Sequence, residues 1–195
     1  MKLALPEDVG FSPERLVRIR TGMQGYIDSN KIAGFVSLVA RRGKVVHLER
    51  SGWMDIAAQK PMEFDAIFRI YSMSKPITSA AAMMLFEENR FRLTDPVSAY
   101  IPAFKKMKVI ASQKWNAVEL VDAQREITIR DLFTHSSGLS YGFDRDDYLD
   151  RLYQAKVWKL VDKKPGATLA DLVGAVGKLP LRFHPGTGYH YSFAI

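Results

Sequence analysis

A serine and a lysine stand three positions apart just before an apolar, alanine-rich run. Ser72 and Lys75 are the first and last residues of a Ser-Met-Ser-Lys tetrad, and residues 76–85 (PITSAAAMML) follow it. Side chains three positions apart share one face of a helix, so the hydroxyl and the amine can meet there. A hydroxyl beside an amine that takes its proton is an activated nucleophile. The pair indicates a serine acyl-transfer site, although one S-x-x-K match is expected by chance in a chain of this length.

The composition is that of a globular domain with a substantial core. The chain has 195 residues, of which 47% are hydrophobic and 25% are charged. It contains no cysteine, which excludes disulfides, a thiol nucleophile and thiolate metal sites. Three of the four histidines, His47, His184 and His190, show no metal-ligand spacing with one another. We therefore expect no metal ion and no cofactor.

The charge pattern argues against a nucleic-acid partner. The formal net charge is +7, but lysine and arginine are scattered, and the densest groups, at 105–108 and 163–164, are typical of solvated faces. No stretch approaches the roughly 20 apolar residues that span a bilayer. The first eight residues lack an apolar signal region before their acidic pair. We expect a soluble, cytoplasmic protein with no membrane partner.

The first 50 residues predict one helix and one β-hairpin. Ser12 can cap a helix that runs to about Ser29, and Pro13 suits its first position. Residues 35–40 and 45–50 are rich in β-branched residues and are separated by a short turn that contains glycine. The first of these strands is apolar on both faces, which predicts a place inside a larger sheet. A hairpin alone is marginally stable, so further strands are required.

Few segments after residue 50 have a sequence typical of a strand. From about residue 97 the sequence predicts helices. The Ser72 helix is predicted to end near Asn89. Thr128 with Asp131 predicts a capped short helix. Further helices are predicted over residues 144–158 and 168–179, with a linker at 163–166.

Four segments resemble one known superfamily. Residues 68–75 (FRIYSMSK) closely resemble the active-serine segment of the serine β-lactamases and penicillin-binding proteins, best in the class C-like branch that includes the family VIII esterases. Residues 89–97 (NRFRLTDPV), 127–139 (ITIRDLFTHSSGL) and 179–192 (LPLRFHPGTGYHYS) are similar to later segments of that family, in the expected order. The resemblance covers roughly residues 12–195. Four ordered matches are far more specific than one.

The resemblance implies an α+β fold: an α/β sandwich with an antiparallel sheet, plus an all-helical subdomain. Residues 1–65 would supply the first helix and hairpin of the α/β domain, and residues 66–195 a mainly helical subdomain with the catalytic motifs. Relatives continue well beyond this length, so we expect a fragment whose C-terminal half follows residue 195. That half would be a partner of this piece and would carry the missing strands and a third motif.

The resemblance also assigns roles to three residues. Ser72 would be the nucleophile, and its own backbone N–H would form half of an oxyanion hole, with the other half on a strand after residue 195. Lys75 and Tyr191, the latter matching the family's Y-x-N tyrosine, would share the proton transfers. Two such groups titrate as a coupled pair, so the identity of the base is left open.

Phe193 departs from the family pattern, which usually has asparagine there. Loss of that amide is expected to weaken recognition of acylamino side chains and so to favour an esterase. The predicted function is hydrolysis of short-chain carboxylic esters through a Ser72 acyl-enzyme, with an ester or β-lactam small molecule as partner. β-Lactamase or D-alanyl peptidase activity, an inactive binding or assembly relative, and a homo-oligomer are alternatives left open. The 195-residue piece alone is expected to be inactive.

Several nearby residues are predicted to be structural. His135 is expected to make a structural hydrogen bond, since an S-x-x-K enzyme needs no triad histidine. Tyr189 is expected to pack, Ser74 to start the helix, and Met83 with Met84 to fill the core.

Overall fold

The computed structural model describes residues 2–114, 117–163 and 165–195, and the chain divides into two compact units at Arg69 and Ile70. The candidate residues Ser72, Lys75 and Tyr191 all belong to the second unit. No helix of the described residues is both long enough and apolar enough to cross a membrane.

The first unit contains one long helix and a three-stranded antiparallel sheet. After a 3₁₀ turn at Pro6–Val9 come α1 (Pro13–Asp28), β1 (Gly34–Arg41), β2 (Lys44–Asp55) and β3 (Lys60–Pro61). The sheet has the order β1-β2-β3. The oxygen of Ser12 accepts the backbone N–H of the third helical residue at 3.3 Å, which confirms the predicted cap.

The hairpin between β1 and β2 is confirmed. Arg41 pairs with Lys44, and the two residues between them have positive φ, as a tight hairpin turn requires. In the described residues β1 has a strand partner on one side only, and its Leu38 is 50% exposed. A small apolar cluster of Val9, Leu16 and Val46 holds this unit together.

The second unit is richer in helix. Its helical elements are α2 (Ser74–Glu87), α3 (Ile129–Phe133), α4 (Tyr148–Tyr153), α5 (Lys159–Lys163) and α6 (Leu169–Val176), with 3₁₀ turns at Tyr71–Met73, Val97–Ala99 and Pro102–Phe104. A π-helical turn, Gln154–Trp158, joins α4 to α5. Asp147 caps α4, so the helix predicted from residue 144 begins four residues later. Of the predicted linker, Lys163 ends α5, and Lys164 lies outside the described residues.

The sequence predicts no strand after residue 97, but the described part of the chain contains two. β4 (Lys108–Lys114) and β5 (Ala117–Asp122) form an antiparallel pair. Leu181 adds a parallel contact to β4, donating its N–H to the Lys108 carbonyl at 2.7 Å and accepting from the N–H of Ile110 at 3.0 Å. Much of this pair is exposed, so the sequence lacks the alternation of apolar residues by which a half-buried strand is recognised.

The core of the second unit is a single apolar cluster built on α4 and the π-helical turn. Leu149, Tyr153 and Val157 recur every four residues along this helical stretch and are fully buried. They pack with Ile127 and Leu181, which are also inaccessible.

α2 is much less covered. It has no fully buried residue among those described, and Ile77 and Met84 are each 64% exposed. The prediction that Met84 packs in the core is therefore wrong for the described part of the chain, whereas Met83 is half-buried. No described residue covers the side of α2 that carries Ile77 and Met84. The helical spacing of apolar residues does not by itself show whether such a side is covered.

Candidate active site

Ser72 lies in the 3₁₀ turn that leads into α2. The N–H of Met73 donates to the carbonyl of Ile70 at 3.0 Å, and α2 begins at Ser74. The first two N–H groups of a 3₁₀ turn have no partner inside it, and Ser72 is the second residue of this turn. Tyr71, immediately before, has φ of +46°, a left-handed conformation that a bulky side chain rarely adopts. Backbone strain of this kind concentrates at functional sites.

Lys75 is the second residue of α2 and is half-buried. Its Nζ lies 5.2 Å from the ring centre of Tyr191 and 5.5 Å from that of Tyr141. Both distances are within the range of a cation–π contact. The lysine predicted from its spacing to Ser72 therefore also meets the tyrosine predicted from a segment more than 100 residues away.

One cleft brings Ser72 and Lys75 together. It has a volume of about 370 Å³, and its other walls are mostly aromatic and apolar. The remaining lining residues are Tyr71, Ser74, Thr78, Tyr141, Phe143, Trp158 and Ile195. Tyr191 is not among the lining residues, but its ring contacts two of them, Lys75 and Tyr141.

Tyr141 is a site residue that the sequence did not indicate. Its ring stacks on Tyr191, with centroids 5.8 Å apart and planes at 11°. Phe143 and Phe193 stack on the same ring at 4.4 Å and 4.2 Å. Burial raises the pKa of Tyr141, and the neighbouring Tyr191 adds to the rise. Only the position of Tyr141, just after residues 127–139, could have pointed to it.

Phe193 is a packing residue in this arrangement. Besides Tyr141, its ring contacts Tyr153 at 6.1 Å and Trp158 at 5.4 Å between centroids. Its N–H donates to the carbonyl of Ser140 at 3.3 Å. The residue that departs from the resembled pattern thus packs among aromatic rings.

Residues 135–140 are the scaffold on which the segment that carries Tyr191 is held. Main-chain N–H groups of Arg182, Gly186, His190 and Phe193 donate to the carbonyls of Gly138, Ser136, His135 and Ser140, respectively, at 2.7–3.3 Å. Gly138 has φ of +83°, and a Cβ there would stand 2.5 Å from the carbonyl oxygen of Phe183. Only glycine fits where the two segments approach so closely.

The capping box predicted at Thr128 and Asp131 is confirmed, and it precedes this scaffold directly. Asp131 accepts the N–H and the hydroxyl of Thr128, each at 2.8 Å, and a two-pronged contact from Arg125 at 2.6 and 3.0 Å. Burial alone raises the pKa of Asp131, but these bonds outweigh it and lower the pKa to about 2. The carboxylate is therefore firmly ionised.

A second polar network lies under the Tyr191 segment. Arg182 donates to Asp147 at 2.8 and 3.2 Å and to Asp150 at 3.2 Å. Asp150 accepts the hydroxyl of Ser140, which is also 3.0 Å from Nε2 of His190. Burial lowers the pKa of His190, as does the charge of Arg182. This network contains a serine, a histidine and an aspartate, but Ser140 and Asp150 are buried and do not line the cleft of Ser72. Its bonds join the segments.

His135 makes the structural hydrogen bond predicted for it. Its Nδ1 accepts the backbone N–H of Ser192 at 3.3 Å, and its ring lies 4.7 Å from that of Tyr191. Tyr189 contradicts its prediction: it is 70% exposed, and among the ring contacts described it makes only a T-shaped one with His135, with centroids 6.0 Å apart. Among the described residues, no three histidine, aspartate or glutamate side chains are placed to hold a metal ion.

Comparison with known proteins places this geometry in context. The family model described as Beta-lactamase matches residues 19–194. Protein Rv1367c of Mycobacterium tuberculosis is 38% identical over 168 residues, which are 86% of this chain and 40% of that protein. Esterase EstB of Burkholderia gladioli is 31% identical over 167 residues, 85% of this chain and 39% of that protein.

A solved structure with a similar fold supports the same family. The structure of EstCE1, described as a hydrolase with promiscuous acyltransferase activity, has a TM-score of 0.76 and 30% identity, covering 93% of this chain and 45% of that one. The mixed helix and sheet arrangement is that of the β-lactamase and transpeptidase fold, as expected. The chain spans about 40% of the length of the curated relatives named above.

Proposed function

Since the chain belongs to the beta-lactamase family, we propose that it is part of a serine hydrolase that cleaves short-chain carboxylic esters through a Ser72 acyl-enzyme. The observation that carries the proposal is the position of Lys75. Its amine shares a cleft with Ser72 and lies 5.2 Å from the centre of the Tyr191 ring. Lys75 is thus in contact with the ring of Tyr191 and shares a cleft with the proposed nucleophile.

In the first step the Ser72 oxygen attacks the ester carbonyl and gives up its proton. Lys75 as a neutral amine, or Tyr191 as a phenolate, accepts that proton. The carbon–oxygen bond to the alcohol then breaks, and the departing alcohol takes the proton from the same pair. Water repeats the sequence in reverse to release the acid and free Ser72.

Charge on the carbonyl oxygen needs donors during attack. The Ser72 N–H is one candidate, because it lies among the first N–H groups of its turn and before α2. The helix N-terminus adds a favourable field for negative charge. Among the described residues we assign no second donor.

The walls of the cleft support an ester in preference to an acylamino substrate. Tyr141, Phe143 and Trp158 offer apolar ring surface. Phe193, where the resembled family usually has an amide, is half-buried and packs against Tyr141 and Trp158. An apolar acyl chain needs no hydrogen-bond partner in such a cleft. The names of two relatives, Esterase EstB and Lovastatin esterase of Penicillium rubens, agree with ester chemistry.

Transfer of the acyl group to an alcohol is a second candidate outcome of the same acyl-enzyme. EstCE1 is described as having promiscuous acyltransferase activity, and Acyltransferase calJ of Penicillium decumbens is 28% identical over 135 residues. An alcohol would then replace water in the second step, with the same proton transfers. β-Lactam or D-alanyl peptide cleavage is a further alternative for this nucleophile.

The test uses the protein together with any sequence that its gene encodes after Ile195. Hydrolysis of p-nitrophenyl acetate and butyrate is measured for the wild type, for Ser72→Ala and for Ser74→Ala, a matched serine that lines the same cleft. Intact mass after a fluorophosphonate probe reports covalent labelling.

The proposal expects rapid hydrolysis and one adduct in the wild type, both absent in Ser72→Ala. Ser74→Ala should still form the adduct. A folded wild type that neither hydrolyses the esters nor takes up the probe would refute the enzyme and favour a binding or assembly role. Activity that survives in Ser72→Ala would refute the assigned nucleophile.

A further inference from the structure

We infer that His135 is a positioning residue, which holds the chain on both sides of Tyr191 and so fixes the phenol beside Lys75. The inference rests on the role proposed above for Tyr191. It concerns a residue that does not itself touch the reacting atoms.

Two hydrogen bonds to His135 flank Tyr191. The N–H of His190, one residue before, donates to the His135 carbonyl at 2.9 Å. The N–H of Ser192, one residue after, donates to the His135 Nδ1 at 3.3 Å. Because the main chain is held on either side, Tyr191 has little freedom to shift along the segment.

The His135 ring supplies a third contact. It lies against the Tyr191 ring with centroids 4.7 Å apart and planes at 41°. Tyr141 stacks on Tyr191 as well, nearly parallel at 11°. Main-chain and ring contacts together hold the Tyr191 ring, whose centre lies 5.2 Å from the amine of Lys75.

The bond from Ser192 defines the protonation state of His135. The same Nδ1 lies 3.4 Å from the Ser192 hydroxyl, which can donate to it. We assign Nδ1 as the acceptor of both groups, with the proton of the neutral ring on Nε2. Burial lowers the pKa of His135, and the charges of Lys75 and His190 lower it further. The titratable groups that face the ring are Lys75 from α2 and Tyr189, His190 and Tyr191 from the C-terminal segment.

Protonation of His135 would therefore release Tyr191. When Nδ1 carries a proton, it can no longer accept the hydrogen bond from the Ser192 N–H. The two N–H groups then face each other as donors and repel. Misplacement of a catalytic group by about 1 Å can cost roughly 100-fold in rate. An acidic loss of turnover should follow from this one proton.

The backbone conformation at His135 allows substitutions that remove the ring without straining the main chain. Its φ is +53°, a conformation that glycine and asparagine accept more easily than other residues. His135→Gly keeps the carbonyl that holds His190 and removes the ring. In His135→Asn the side-chain oxygen stands two bonds from Cβ, as Nδ1 does, and can accept the Ser192 N–H without titrating near neutral pH.

His184 provides a matched control. Its Nδ1 accepts a backbone N–H, that of Gln124, at 3.3 Å, the same distance as in the bond from Ser192 to His135. The control variant His184→Ala thus removes the same kind of bond at a place that does not hold the residues flanking Tyr191.

The experiment measures kcat and KM for p-nitrophenyl butyrate from pH 5 to 9, with melting temperatures. His135→Gly should lower kcat roughly 10- to 100-fold and leave KM within about threefold. His135→Asn should recover kcat to within about threefold of wild type, with a shallower fall on the acidic side. His184→Ala should change neither constant by more than about threefold.

Two kinetic results would overturn the inference: equal losses of kcat in His135→Gly and His184→Ala, or no recovery of kcat in His135→Asn when that variant is folded. A second readout is independent of activity. The ¹⁵N NMR spectrum of labelled histidine should show His135 with an unprotonated Nδ1. A proton on Nδ1 at neutral pH would overturn the inference even in an active enzyme, whereas an inactive wild type with the expected tautomer would refute the proposed function alone.

Discussion

The amine of Lys75 lies 5.2 Å from the centre of the Tyr191 ring, and the two residues are 116 positions apart in the chain. The lysine comes from the first turn of a helix, and the tyrosine from an irregular segment without helix or strand. A cation over an aromatic face is stabilised by the ring and is partly withdrawn from water. This contact brings together the two groups to which we assign proton transfer.

Replacing Lys75 by arginine separates its charge from its basicity. The guanidinium of the Lys75→Arg variant would keep a cation over the rings but cannot release its proton. This variant is expected to lower kcat/KM for p-nitrophenyl butyrate by roughly 100- to 10,000-fold, the range for loss of general acid–base catalysis. The control is Lys31→Arg, because Lys31 lies 5.6 Å from the ring centre of Tyr26 in the first unit. Retention of more than a tenth of the activity in Lys75→Arg would contradict its role as a proton acceptor.

Removing only the hydroxyl of Tyr191 tests whether this residue takes part in proton transfer. Tyr191→Phe keeps the stack on Tyr141 and the contact with His135, so the melting temperature should change little. We expect kcat to fall roughly 100-fold or more. Tyr189→Phe, at an exposed ring next to the same histidine, is the control and should keep kcat. Equal kcat values for the two variants would exclude Tyr191 from catalysis.

Restoring the family's usual asparagine at position 193 should damage the fold. Phe193→Asn places an amide among Tyr141, Tyr153 and Trp158. The expected loss is roughly 2–4 kcal/mol of unfolding free energy, close to that of a large-to-small core change. Urea unfolding measures it, with Phe143→Asn as the control, since Phe143 is 69% exposed and should lose less. A stable Phe193→Asn protein that gains hydrolysis of a chromogenic cephalosporin would show that the aromatic packing is dispensable.

The Asp131 network predicts acid-sensitive stability. The pKa of Asp131 is about 2 in the folded chain and 3.8 in its unperturbed state. The unfolded state therefore takes up the proton first as the pH falls. Ionised Asp131 contributes on the order of 2 kcal/mol to the free energy of unfolding. This contribution is complete above about pH 5 and is lost as the pH falls from about 4 to about 2.

Urea unfolding of the wild type and of Asp131→Asn at a series of pH values measures the contribution of Asp131 to the free energy of unfolding. The difference in unfolding free energy should shrink as the pH falls from about 4 to about 2. Asp122→Asn is the control: Asp122 also pairs with a cation, Lys108, at 2.8 Å, but is 82% exposed, and exposed ion pairs contribute little. A constant difference across this range would mean that Asp131 does not titrate with folding.

Much of the local structure was predictable from the sequence. The cap at Ser12, the hairpin turn after Arg41 and the capping box at Thr128 were all confirmed. Each depends on residues within a few positions of one another, where side-chain chemistry and backbone preference act directly. The β4 and β5 pair was missed because its exposed faces carry polar residues that also occur in helices.

For the candidate site, the sequence by itself determined the identity and spacing of the proposed nucleophile and amine, Ser72 and Lys75, because one helical turn relates them. The contact of Lys75 with the ring of Tyr191 was decided by the tertiary structure, as were the stack on Tyr141, the packing of Phe193 among aromatic rings and the hydrogen bonds that His135 accepts. These contacts join residues tens of positions apart. Their geometry follows from how two irregular segments pack and share main-chain hydrogen bonds, which no local spacing encodes.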